Sequence, residues 1–135
     1  MQRNIEIKIQ NIEKYLRILE DYKTDCKERF NTDTMFEGAL LHYLYLVSDS
    51  CISLAEMVVK FKSFGHTQSY SESIDRLGER GVVPREFAYE FVRIASFRNF
   101  LAHDYEKVDY LFICEEIMNK LNDIRQYLYY IKKAL

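Results

Sequence analysis

Apolar residues recur at three- and four-residue steps through most of this chain, and few residues interrupt them. Ile5, Ile9, Ile12, Leu16 and Leu19 form one such series, which is the stripe of an amphipathic helix. Ile113, Ile117, Leu121, Ile124, Leu128 and Ile131 form another. With one proline and four glycines in 135 residues, the chain has few places where a helix must stop. No strand alternation, internal repeat, low-complexity segment or linker is found.

The stripes and their punctuation predict about five helices. The first covers residues 3–22 and frays by Phe30. Residues 31–34 form a loop and cap, with Thr34 and Glu37 fitting a capping box. The second helix covers residues 35–63. Its middle, residues 40–54, is apolar nearly all round, so it is expected at the centre of the molecule. Gly65 ends it, and residues 66–68 are loop. Ser69 with Glu72 makes a second capping box that opens a short helix over residues 70–80, terminated by Gly81. Pro84 suits the first turn of the next helix, which carries Phe87, Phe91, Ile94, Phe97 and Leu101. Asp109 caps the last helix, residues 110–133. Short loops between striped helices imply an all-α, up-and-down antiparallel bundle, one domain spanning residues 1–135.

Charge and cysteine content bound the function classes. The net charge of −2 gives no global basic field to gather nucleic acid, so any such contact must be local. Cys26, Cys51 and Cys114 are odd in number, widely spaced and without a Cys-x-x-Cys pair. That argues against a disulfide framework and a zinc knuckle, and for a reducing cytoplasm. Residues 1–8 lack a signal core, and the richest apolar run, residues 39–47, is too short to cross a bilayer. No membrane contact, metal or cofactor is expected.

One segment concentrates chemistry: Arg98-Asn99-Phe100-Leu101-Ala102-His103-Asp104-Tyr105. An arginine grips phosphate through paired charge-assisted hydrogen bonds, and a histidine moves protons near neutrality. If helix persists through Tyr105, Ala102 lies about 40° round from Arg98, His103 about 140° round and Tyr105 about 20° back. Arg98, Asn99, Ala102 and His103 then share one wide polar face, with Ile94, Phe97 and Leu101 opposite. Arg98 and His103 stand on the two edges of that face. A two-fold pairing of chains would bring both kinds of group around one cleft, so a homodimeric site is expected.

The spacing Arg, four residues, His, one residue, Tyr resembles the signature of HEPN-domain proteins, small all-α domains that often act as RNases. Cys51-Ile52-Ser53-Leu54-Ala55, Ser69-Tyr70-Ser71-Glu72 and Gly81-Val82-Val83-Pro84 precede it in order, and this succession is similar to the HepT-like branch. The resemblance implies the toxin of a type VII toxin–antitoxin pair, a metal-independent endoribonuclease acting on tRNA or mRNA. It implies a cognate minimal nucleotidyltransferase of the MntA type as partner. Arg98 and His103 would be the catalytic pair and Asn99 a substrate-positioning residue. Tyr105 would be the tyrosine that the partner modifies with AMP. Many relatives carry an acid where this chain has Ser53, so this chain would either do without it or use Asp49 or Glu56, about one turn to either side.

Plainer readings stand beside these. The motif face could hold a nucleotide or a partner protein without catalysis, or the chain could be a structural helical dimer. His42 reads as a core or interface histidine and His66 as a loop residue. Tyr43, Tyr45, Tyr127, Tyr129 and Tyr130 could stack bases but suit a core or dimer seam better. Lys60, Lys62, Arg76, Arg80, Arg85 and Arg93 could line an RNA path but read as solvated, with Arg93 on the motif helix. Asp104 and Glu106 could meet a cation on the partner.

Overall fold

The structure, a computed structural model, describes residues 2–103 and 107–135. Every regular element among these residues is helical. Helix α1 is Gln2–Lys23, followed by a single turn, α2, Cys26–Arg29, where fraying is expected from the sequence. The long helix α3, Thr34–Phe61, is the hub, and α4 is Tyr70–Glu79. Two shorter helices follow, α5 (Arg85–Phe91) and α6 (Arg93–His103). The chain ends in a π-helical stretch, Phe112–Ile117, a 3₁₀ turn, Met118–Lys120, and α7, Leu121–Ala134.

Helix α3 packs against α1, α4 and α6, as its all-round apolar middle predicts. Leu40, Leu41, Leu44, Leu54 and Val58 are essentially without solvent contact. Each aliphatic side chain so buried contributes about 1.5–3 kcal/mol before entropy is set against it. On the opposite wall, Tyr127 of α7 is fully buried, and its hydroxyl donates to the Cys51 carbonyl at 2.8 Å. Its ring lies 4.5 Å from that of Phe91. Gly78 lets α4 and α5 close on each other, since a Cβ there would stand 2.7 Å from that of Ala88.

Local chemistry departs from the sequence reading in several places. The cap of α3 is Asp33, one residue before Thr34: its backbone is extended and its carboxylate accepts from Phe36 N at 3.0 Å. Arg29, 2.6 Å from the same carboxylate, fixes it there. Pro84 is the capping residue before α5 and not part of its first turn. The motif helix is broken at Val92 into α5 and α6, although the apolar period runs straight through the break. The last helix opens with a wider π turn, which turns Ile113 and Cys114 inward together; the regular period expects Ile113 and Ile117 there. Finally, Cys26 and Cys114 form a disulfide across 88 residues, leaving only Cys51 free. Cysteine spacing along the chain carries no information about pairs that the fold brings together. The odd count therefore neither excludes a disulfide nor argues for a reducing compartment.

Gly65 does not end α3: the helix stops at Phe61, Ser63 takes the left-handed position with φ +57°, and Phe64 N donates to the Val59 carbonyl at 2.9 Å. Three other signals hold. Ser69 caps α4 by accepting from Glu72 N at 3.1 Å, and Gly81 follows that helix with φ +76°. Asp109 accepts from Leu111 N at 3.1 Å. No helix among the described residues is long and apolar enough to cross a membrane.

Candidate functional site

Arg98 sits midway along α6, on the side turned to α3. Ala95 and Leu101 are buried on that helix, with Ile94 and Phe97 half-buried, and this anchors its apolar face. Ile94 and Leu101 stand only about 40° and 60° round the helix from Arg98, and not opposite it as the sequence reading has them, so the guanidinium is carried with them to the α3 surface, where its side chain is 18% exposed. Its Nε donates to Asp49 Oδ1 at 3.0 Å, one Nη to Tyr45 Oη at 3.1 Å and the other to Asn99 Oδ1 at 3.1 Å. The Tyr45 and Tyr70 rings lie 5.2 and 5.4 Å from its central carbon, so two aromatic faces flank the cation.

Burial works against charge on Arg98, but the hydrogen bond to Asp49, with the charges of Asp49 and the two phenols, outweighs it and raises the pKa. The group is a permanent cation. Of the five N–H donors of a guanidinium, three are engaged, and one on each terminal nitrogen remains. That remaining pair is the fork that matches two oxygens of a phosphate. Asn99 turns its carbonyl to Arg98, which leaves its amide NH₂ as the group able to donate to a ligand.

Asp49, and not Glu56, is the acid that meets Arg98. It lies one turn before Ser53 on α3. The sequence offers both carboxylates, and only the packing of α6 on α3 separates them. Nothing in the sequence marks Tyr45 and Tyr70 as partners of the motif. Tyr45 is half-buried but does not serve the core alone, since its hydroxyl meets Arg98. Its position four residues before Asp49, on one face of α3, is the signal that could have pointed to it.

His103 is the last residue of α6 and is exposed. It makes no side-chain hydrogen bond to any described residue and is not among the contacts of Arg98. Five helical residues set the two about 7.5 Å apart along the axis and about 140° apart in rotation. Tyr105, with Asp104 and Glu106, lies outside the described residues.

The remaining candidates have structural explanations. His42 is exposed, its ring 5.7 Å from that of Tyr43, and so is not a core histidine. His66 lies in the loop, as expected, and its carbonyl accepts from Arg76. Arg76 also donates to the Phe64 carbonyl and pairs with Glu72, so it pins a loop and is not a solvated residue. Lys62 donates to the Ala134 carbonyl at 2.6 Å, Arg80 lies over Phe64, and Arg93 pairs with Glu90 on the surface. No cluster of metal-ligating side chains occurs among the described residues.

A family model described as "Ribonuclease HepT-like" matches residues 12–131. The chain belongs to the HepT-like ribonuclease family. A relative within reach of sequence comparison is the mRNA nuclease HepT of Shewanella oneidensis, 20% identical over 93% of each chain. The same fold is seen in the tri-AMPylated Shewanella oneidensis HEPN toxin in complex with MNT antitoxin, with a TM-score of 0.84, 22% identity and 96% of each chain covered. The cytosolic protein YutE of Bacillus subtilis, of unknown function, matches at a TM-score of 0.72 and 18% identity, over 93% of this chain and 89% of its own. These solved structures share the fold of this chain over nearly its whole length.

Proposed function

We propose that this chain is the toxin of a toxin–antitoxin pair, an endoribonuclease that acts in the cytoplasm as a homodimer. The observation that carries the reading is Arg98, a permanent cation held on three sides with one N–H left on each terminal nitrogen, five residues before an exposed imidazole. Membership of the HepT-like family and the likeness to a nuclease and to an antitoxin-bound toxin support it.

Cleavage then needs no metal. The ribose 2′-oxygen attacks the adjacent phosphorus and the bond to the 5′-oxygen breaks, leaving a 2′,3′-cyclic phosphate. One His103 takes the proton from the 2′-hydroxyl. A second, from the partner copy, returns a proton to the departing 5′-oxygen. Such acid–base help is worth about 10²–10⁴-fold in rate. Arg98 holds the phosphate and stabilises the charge that builds on its oxygens, with Asn99 adding a hydrogen bond.

A cognate MntA-type nucleotidyltransferase neutralises the toxin by attaching AMP to Tyr105. The anionic adduct, carried close to the motif, competes with RNA for Arg98. The deciding experiment incubates the protein, purified with and without its co-expressed partner, with total RNA and with tRNA in the presence of a chelator. Cleavage by the unmodified protein, lost in His103→Ala and lost with added AMP mass on Tyr105, is expected. A fully active His103→Ala protein ends the reading.

A further inference from the structure

An open cleft of about 420 Å³ is lined by Glu56, Thr67, Gln68, Ser69 and Tyr70. Tyr70 is the link: its ring faces the Arg98 guanidinium at 5.4 Å, and it also forms a wall of the cleft. Glu56 lies seven residues beyond Asp49, on nearly the same face of α3 and about 10 Å further along it. That separation is comparable with the span of one nucleotide from phosphate to the outer edge of its base.

The cleft is built and not incidental. Its loop wall is pinned by Arg76, which donates to the Phe64 and His66 carbonyls. Thr67 and Ser73 share a hydroxyl hydrogen bond of 2.9 Å, and Gln68 N donates to Glu72 Oε2 at 2.9 Å. Glu72 and Glu79 are both paired with Arg76, whereas Glu56 has no ion pair or hydrogen bond among the described residues. A fixed cleft therefore holds one uncommitted carboxylate, one amide side chain and one aromatic face.

From this arrangement we infer that the cleft is a base subsite for guanine in single-stranded RNA, with Glu56 setting specificity and Tyr70 as the stacking platform. This rests on the ribonuclease reading above. A carboxylate only accepts hydrogen bonds, and it repels phosphates, so a strand turns a base edge toward it. Guanine alone offers two adjacent donors, N1–H and the N2 amine, to the two carboxylate oxygens. Adenine and cytosine place an acceptor beside their amine, and uracil flanks its one donor with two carbonyls. The Gln68 amide supplies a donor for guanine O6. Aromatic stacking with reading of the Watson–Crick edge is the ordinary mode for unpaired RNA.

The test uses short single-stranded RNAs that differ at one position, carrying guanosine, inosine, adenosine or uridine there. Guanosine is expected to direct cleavage about tenfold better than adenosine or uridine, with inosine, which lacks the N2 amine, in between. Glu56→Gln, at an exposed position, flattens that preference. Tyr70→Ala raises KM for every base, and Tyr70→Phe restores it. Cleavage indifferent to the base, or a preference that Glu56→Gln leaves intact, overturns the subsite and spares the ribonuclease reading. If no RNA is cut at all, that reading falls, and calorimetry with guanosine and adenosine monophosphates decides the subsite alone. Preference for the guanosine nucleotide, lost in Glu56→Gln, upholds it; equal or absent binding overturns it.

Discussion

The middle of α6 and its C-terminal end are built differently. Around Arg98 the chain supplies everything: an acid and a phenol from α3, an amide from the next residue and a second ring from α4. Around His103 it supplies nothing among the described residues, and the imidazole stands exposed at the helix end. A cation that must hold a phosphate gains from being fixed beforehand, because no reorganisation is then needed as charge develops. A proton carrier that needs a second copy of itself gains nothing from partners within one chain. On the proposed reading the contrast has a simple meaning: one chain would complete the phosphate grip, and pairing of chains would complete the acid–base half of the site.

The largest effect tests each half by removal. Arg98→Ala and His103→Ala are each expected to lower RNA cleavage by about 10²–10⁴-fold, measured as initial rates on a labelled RNA. Mixing His103→Ala with the unaltered protein under conditions that exchange subunits should give mixed dimers nearly as slow as the His103→Ala homodimer, since each then holds only one of the two imidazoles. Mixed dimers that keep half of the unaltered rate would mean that each copy works alone.

A smaller effect separates the grip from its support. Asp49→Asn keeps the shape but weakens a charge-assisted hydrogen bond worth about 1.5–3 kcal/mol, so kcat should fall by about 10- to 100-fold. Asp49→Ser removes that bond altogether and should fall further. Ser53→Asp places an acid one turn away, and in the Asp49→Ser background it should recover part of the loss. An Asp49→Asn protein with unchanged kcat would show that Arg98 is held well enough by Tyr45 and Asn99.

Much of this contrast is legible in the amino-acid sequence, and the unread part has a physical cause. Arg98, Asn99 and His103 share one helix, Arg93–His103, as the sequence reading has it, but not one face: Arg98 turns to α3 and His103, about 140° round, stands exposed. The central place of α3 follows from its apolar residues on every side. Asp49 is one of two acids in reach, and its choice depends on where α6 lands. Tyr45 and Tyr70 are remote in sequence from the motif, and no local pattern ties a tyrosine to a particular arginine. The break at Val92 is silent because the spacing from Phe87 to Leu101 suits an unbroken helix. The π turn at Phe112–Ile117 is silent for the same reason, and the Cys26–Cys114 bond is a property of the fold.

The smallest effect compares the two regions with one kind of change, the loss of a tyrosine hydroxyl. Tyr127 is fully buried and donates to the Cys51 carbonyl, so Tyr127→Phe removes a buried hydrogen bond worth about 1 kcal/mol. Thermal unfolding should register that loss as a Tm lower by a few degrees. Burial, with the nearby Cys51, raises the Tyr127 pKa well above its ordinary value, so the folded state keeps the phenol neutral. An unfolded chain ionises it above about pH 10, so its contribution is fully present below that pH and is lost as pH rises beyond it. Tyr127→Phe should therefore flatten the decline of stability in that alkaline range. Tyr45→Phe, by contrast, keeps the ring beside Arg98 and removes one hydrogen bond of three to the guanidinium. Cleavage should slow by about three- to tenfold with Tm nearly unchanged. The reverse pattern, a Tm loss in Tyr45→Phe with full activity, would make Tyr45 part of the core and leave the Arg98 grip to Asp49 and Asn99 alone.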